Sequence, residues 1–319
     1  MINNLQSLKD EIISLWDSGK FDTKAGLAKY IIDKYTNFDR PDDSIRRSIS
    51  KIISKHKRKQ AKKPERYIPK ILFFDIETAP MRAFVWGHWK NNIALSQVIS
   101  NTFVLCWSAK WIGSDKVISD VLTPEESLVE NDKRITENLW KLFDEAEIIV
   151  GHNIEKFDIP RMNSRFVIHG LPRPSTYRTI DTLRAVRRYC GFASNRLDAL
   201  AGYFNLEHKL TTDFDLWAKS MSGDKDSLEY MSKYCDRDVL LLEEVYNILR
   251  PWISNHPNVG LYFDLNKGVC AVCGSTDLKE EKPYYTTVGR YQTYRCNCCG
   301  ALSKVKRSDY DNSKLLRSI

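Results

Sequence analysis

The chain has 319 residues, a formal net charge of +8 and 42% hydrophobic residues. That apolar share supports a packed core and excludes disorder throughout, while no stretch approaches the ~18 uninterrupted apolar residues that a bilayer span requires. Met1-Ile2-Asn3-Asn4 is not a charged segment leading into an apolar one, so no secretion signal is read and a cytoplasmic location, without a membrane partner, is expected.

Residues 1–58 are expected to form a small helical domain. Leu5, Leu8, Ile12, Ile13 and Trp16 recur at helical spacing and Gly19 follows as a stop. Thr23 can cap a second helix carrying Leu27, Ile31 and Ile32. Asp42 or Asp43 can cap a third, with Ile45, Ile49, Ile52 and Ile53 inward and Arg46, Arg47, Ser50 and Lys51 outward. Three short helices ending in a basic one suit a helix-turn-helix-like DNA binder; a helical bundle for protein contact is the competing reading. Residues 59–69 form a basic linker, within a stretch (51–66) where eight Lys and Arg stand against one carboxylate, Glu65.

Residues 70–252 alternate strand and helix signals, which predicts an α/β domain. Strands are expected at Ile71–Phe74, at 102–111 and at Ile148–Val150. Helices are expected near 137–146, 157–169, 181–189, 195–204 and 227–249. This middle is acidic on balance while both flanks are basic. Such a distribution suits a nucleic-acid binder whose carboxylates hold metal ions and whose flanks attract phosphate.

Three carboxylate patterns stand out. In Phe74-Asp75-Ile76-Glu77-Thr78, alternation along a strand puts Asp75 and Glu77 on one face. Their mutual repulsion is relieved by a divalent cation, which prefers hard oxygen ligands. Asp158 follows the strand Ile148–Val150 and the segment Gly151-His152-Asn153, at the start of the next helix, where simple helix capping is the other explanation. Tyr234 and Asp238 lie four apart, on one face of a long helix, with Asp236 projecting elsewhere into solvent.

In order, F-D-I-E-T, N-x-x-x-F-D and Y-x-x-x-D resemble the three motifs of the DnaQ-like (DEDD) 3′→5′ exonucleases, tyrosine subclass, within the ribonuclease H-like superfamily. The stretch is similar to the proofreading domains of family B DNA polymerases, including Asp181-Thr182-Leu183 and Ser194–Leu200, and to stand-alone phage and bacterial exonucleases. The resemblance implies a ribonuclease H-like mixed sheet flanked by helices over residues 70–252. It implies Asp75, Glu77, Asp158 and Asp238 as ligands of two Mg²⁺ or Mn²⁺ ions, with Tyr234 orienting the attacking water. It also implies that Thr78, Asn153 and Phe157 position the terminal nucleotide, although Phe157 also reads as core. Asp181 is similar in placement to a residue near the substrate groove, and helix capping explains it equally well. His152 reads as structural.

Residues 253–319 carry five of the eight cysteines. Cys270-x-x-Cys273-Gly274 and Cys296-x-x-Cys299-Gly300 are matched knuckles, the pattern of a zinc ribbon holding one structural Zn²⁺, with a redox pair as the competing reading; Cys298 is read as the spare thiol, with Cys298 in place of Cys299 as the alternative ligand. Tyr285, Tyr291, Tyr294, Arg290, Arg295, Lys304, Lys306 and Arg307 mix aromatic and basic side chains, as a nucleic-acid surface does. The expected function is metal-dependent 3′→5′ exonuclease activity, DNA favoured, releasing nucleoside 5′-monophosphates. Alternatives are an RNA-processing exoribonuclease of the same fold and a DNA-binding regulator with a vestigial nuclease domain. The expected partners are DNA with a free 3′ end and a separate DNA polymerase, in a bacterial or phage-infected cell.

Overall fold

The computed structural model describes residues 8–35, 38, 41–60, 69–208, 210–263 and 268–310, the side chains at 55 and 57–60 excepted. Leu5 and most of the basic linker (61–68) lie outside the described residues. The chain divides into two compact units, Met1–Tyr67 and Ile68–Ile319. Among the described residues no helix is long and apolar enough to cross a membrane.

The first unit holds three helices, α1 (Lys9–Asp17), α2 (Lys24–Lys34) and α3 (Asp42–Gln60). Ile12, Leu27, Ile31, Ile45, Ile49 and Ile53 are buried together, the residues whose spacing predicted one apolar face per helix. Thr23 caps α2, its side chain accepting from the Gly26 N–H at 3.0 Å. Asp42 and Asp43 stand inside the first turn of α3 rather than ahead of it, where their charge favours the positive end of the helix. Arg46, Arg47 and Lys51 are exposed.

The second unit is built on one mixed sheet. Its elements in chain order are β1 (Ile71–Thr78), β2 (Arg82–Ala83), β3 (Val98–Ser100), β4 (Val104–Trp111), β5 (Val117–Val121), α4 (Pro124–Leu128), α5 (Lys133–Glu145), β6 (Ile148–Gly151), α6 (Asp158–Ile168), β7 (Arg178–Asp181), α7 (Thr182–Tyr189), α8 (Leu197–Phe204), α9 (Phe214–Met221) and α10 (Lys225–Leu249). The strand order is β5-β4-β1-β6-β7. Pairing is antiparallel from β5 through β4 to β1, and parallel from β1 through β6 to β7. This is the ribonuclease H-like mixed sheet flanked by helices, with β1 at its centre.

Both faces of β1 are covered, and they differ. Leu72, Phe74 and Ile76 join one core layer with α5 and α6, where Phe74 meets Phe143 edge-on at 4.8 Å. Ile71 and Phe73 join a second layer with α7, α8 and α10, where Phe73 meets Tyr246 at 5.2 Å. The second face continues as Asp75 and Glu77, so the strand's own alternation delivers two carboxylates to the end of an apolar face. Helix α10 is fixed to β4 by the Lys110–Glu243 ion pair and by Ser108 Oγ, which donates to Asp236 at 2.6 Å. Asp236, expected in solvent, is therefore half-buried and engaged.

Residues 268–310 pack within the second unit as β8 (Leu278–Thr286), β9 (Gly289–Cys296) and β10 (Leu302–Lys304), an antiparallel sheet of order β10-β9-β8. Gly274 has φ +72°, and a Cβ there would lie 2.2 Å from the Phe263 ring. Only glycine satisfies both the left-handed turn and the close approach.

Candidate active site

Asp75 and Glu77 come from β1, Asp238 from α10. One carboxylate oxygen from each lies within 4.8 Å of the other two. Asp238 is 3% exposed; Asp75 and Glu77 are half-buried. Three carboxylates this close, backed by an apolar layer, are mutually repulsive without a cation, and hard oxygens in this number suit Mg²⁺ or Mn²⁺. Behind them the buried Cys235 thiol donates to the Asp75 carbonyl at 3.4 Å. Burial holds that thiol well above its usual pKa, so it stays protonated.

Tyr234 precedes Asp238 by one helical turn, is half-buried, and has Trp217 of α9 edge-on at 6.4 Å. Trp217 escaped the sequence reading, because one aromatic in a short amphipathic helix reads as core.

Asp158 is also 3% exposed but falls outside the cluster of three. It opens α6, beside the part of β1 that β6 leaves unpaired after the Phe73–Val150 register. Burial pushes its carboxyl up to about 7; the nearby Asp181 charge adds to this, and backbone hydrogen bonds from Asp158 itself and Ile76 oppose it.

The turn between β6 and α6 is shaped by close approach. A Cβ on Gly151 would lie 1.8 Å from Ile154 Cγ2 and 3.3 Å from the Phe74 carbonyl oxygen. Asn153 follows with φ +75°, a conformation asparagine tolerates better than most residues. Asp181 accepts from the N–H groups of Asn153 (3.0 Å), Glu155 (3.3 Å) and Arg184 (3.2 Å). It thus caps α7 and fixes the Asn153 turn with the same carboxylate. His152 Nε2 donates to the Asn195 carbonyl at 2.9 Å, and Nδ1 lies 2.9 Å from Thr182 Oγ1. The imidazole therefore ties the loop before α8 to the end of β6, the structural role expected of it.

Two clefts lie at this end of β1, one reaching Asp75 and the other Thr78. One, of about 600 Å³, is lined by Asp75, His152, Asn153, Arg187, Ser194 and Arg196, among others. The other, of about 370 Å³, includes Thr78, Phe103, Lys156, Phe157 and Arg161. The Arg161 guanidinium covers the Phe157 ring at 4.1 Å, and the ring also packs on the core. Of the residues expected to hold a terminal nucleotide, Asn153 lines the first cleft and Thr78 and Phe157 the second. Arg187, unmarked in the sequence, lies exposed on the polar face of α7; its only earlier signal was the run of arginines at 184, 187 and 188.

A family description for the RNase_H superfamily (RNase_H_2) matches residues 72–250, more than half of the chain. The chain belongs to the RNase_H superfamily. Its fold is that of a nuclease, with nucleic acid as the implied substrate, and nucleases of this kind typically use divalent metals. Among solved structures, this RNase_H-superfamily chain is similar to the family B DNA polymerase from the hyperthermophilic archaeon Pyrobaculum calidifontis, at 16% identity and TM-score 0.43. That likeness covers 70% of this chain and 32% of the polymerase, so the chain spans about a third of that protein's length. No curated protein matches it in sequence.

A second constellation lies in the ribbon. The sulfurs of Cys270, Cys273, Cys296 and Cys299 lie within 4.8 Å of one another, with Cys270–Cys299 and Cys273–Cys296 each at 3.6 Å. A tetrahedron with Zn–S bonds of ~2.3 Å has edges of about 3.8 Å, so the four sulfurs fit Zn²⁺. Cys298 is exposed and outside this set.

Proposed function

We propose that the chain is a metal-dependent 3′→5′ exonuclease of the DnaQ-like (DEDD) tyrosine subclass, favouring DNA and releasing nucleoside 5′-monophosphates. The observation that carries this reading is the convergence of the Asp75, Glu77 and Asp238 carboxylates, with Tyr234 one turn away on the same helix. In this reading those three carboxylates hold one Mg²⁺ or Mn²⁺. Asp75 and Asp158 would hold a second such ion. Bound there, two such ions make water a stronger acid and offset the charge that develops on phosphate during in-line displacement. The Tyr234 hydroxyl orients the attacking water by a hydrogen bond. Thr78 and Phe157 on one side, and Asn153 on the other, position the terminal nucleotide. Asp181 acts through the Asn153 turn that it fixes, and Arg187 and Arg196 attract the phosphates behind the scissile bond. The four cysteines hold a structural Zn²⁺. The substrate end is a free DNA 3′ terminus, such as a separate polymerase leaves.

The test is product analysis with 5′-labelled single-stranded DNA and RNA. The expected result is a ladder of progressively shortened DNA that requires Mg²⁺ and stops with EDTA. Internal cuts in circular DNA, or shortening that persists in EDTA, contradict the proposal.

A further inference from the structure

Between β1 and β4 the chain leaves the sheet as an arm, residues 80–102. Its base is well tied: the Ala79 N–H donates to the Phe103 carbonyl at 2.8 Å, β2 pairs with β3, and Arg82 bonds Ser100 at 2.9 Å and pairs with Glu130. The Phe84 N–H donates to Gln97 O, and the Gln97 side chain donates back to Phe84 O, at 2.9 and 3.0 Å. Beyond this base the apolar side chains find no core. Trp86 is 100% exposed, Trp89 88% and Phe84 73%, with Leu95 and Ile99 also exposed. Single exposed hydrophobics are ordinary, but a cluster held on an ordered hairpin marks a contact surface.

Two observations say what covers it. From Thr78 to Phe103 the sequence contains no Asp or Glu, while Arg82, His88 and Lys90 are present. The arm is therefore free of the charge that repels phosphate, in a domain that is otherwise acidic. Its root is also continuous with the site: Thr78, Asn101, Thr102 and Phe103 line the same cleft as Lys156 and Arg161, one residue beyond Glu77. Flat aromatic faces among cations, on the rim of a nuclease cleft, suit unpaired bases, since stacking is tolerant of sequence and a duplex hides its base faces. We infer that the arm is a stacking platform for single-stranded nucleic acid, holding unpaired bases of the strand whose backbone enters the carboxylate site through Trp86 and Trp89, with Phe84 beside them. The inference rests on the proposed nucleic-acid substrate.

The experiment measures binding of a fluorescein-labelled single-stranded oligothymidylate, about a dozen nucleotides long in keeping with single-strand site sizes, by anisotropy in EDTA. Both tryptophans are changed together, to Phe in one protein and to Leu in another. Leucine keeps the apolar surface and removes the flat ring. The Trp86→Phe/Trp89→Phe protein is expected to bind within about twofold of wild type, and the Leu protein to be weaker by roughly five- to a hundred-fold. Equal binding by the Leu protein overturns the inference. So does a wild-type dimer that Trp86→Ala/Trp89→Ala converts to monomer with oligonucleotide affinity unchanged, because the arm is then a contact between copies. Binding in EDTA is read without hydrolysis, so the two readings fail separately. A wild type that binds through the arm but cleaves nothing contradicts the proposed function alone; a wild type that cleaves while the Leu protein binds normally contradicts the arm alone.

Discussion

Asp158 and Asp238 are equally buried, yet their surroundings ask different things of them. Asp238 faces Asp75 and Glu77, and the three together form a ligand set. Asp158 stands outside that set, and burial, helped by the nearby Asp181 charge, raises its carboxyl from 3.8 to about 7. Without metal, the folded protein therefore keeps a proton that the unfolded chain releases near pH 4. A group whose folded pKa is raised contributes stability that is fully present below the unfolded value and is lost as pH rises through the folded one. The window is thus about pH 4 to 7. Asp158→Asn removes that dependence, and in EDTA the variant should gain on wild type between pH 5 and pH 8 by roughly 1–3 kcal/mol, given ~1.4 kcal/mol per pKa unit. Urea unfolding at the two pH values measures it; parallel behaviour of the two proteins contradicts the assignment. The Asp75/Glu77 pair was legible in the sequence because strand alternation is strict. The separation of Asp158 from the other three was not, because it is a distance across the end of β1, beyond its pairing with β6, that no local spacing encodes.

At the scale of elements, legibility followed length and amphipathic contrast. Helix α10 was readable because its 25 residues carry a continuous apolar face through Leu241, Leu242 and Val245. Tyr234 and Asp238 then followed from helical geometry. Strands β5 and β7 went unread: they have five and four residues, too few for a period-2 signal, and β5 is a half-buried edge. Helix α5 begins at Lys133, four residues before the expected start, because its first turn offers a single apolar residue, the buried Ile135, among polar neighbours. The arm was missed for the opposite reason, since its tryptophans look like core residues in composition and only the fold shows that they stay outside. The ribbon was read from its knuckles, and among the described residues its buried apolar core is Cys270, Val272, Cys296 and Ala301. So small a core suits the structural Zn²⁺ of the proposed function, whose binding would add to its folding energy. Purified protein is expected to contain one equivalent of zinc, and Cys273→Ser to lose it along with the ordered signals of β8–β10 in NMR spectra. A Cys273→Ser ribbon that keeps its metal and its signals would refute the zinc assignment.

Across the whole molecule, one division of labour explains the charge distribution. In the proposed function the carboxylates at the centre of the acidic sheet domain serve a metal site, while Arg161, Arg187 and Arg196 line the clefts; the first unit carries its own cations on the exposed face of α3. The ribbon adds Lys304, whose ammonium lies 4.5 and 4.7 Å from the Tyr284 and Tyr291 rings. In the proposed function the cleft arginines attract phosphate, and the three converging carboxylates decide whether it is cut. The most direct measurement is the rate of shortening of a 5′-labelled single strand by wild type and by Asp238→Asn at saturating Mg²⁺. Loss of one ligand from a two-ion centre removes most of the charge stabilisation, and removing a single preorganised electrostatic partner typically costs about 10²–10³ in rate. A fall of at least that size is expected, with the unfolding midpoint of the variant no lower than that of wild type. An Asp238→Asn protein that shortens the strand at the wild-type rate would contradict it.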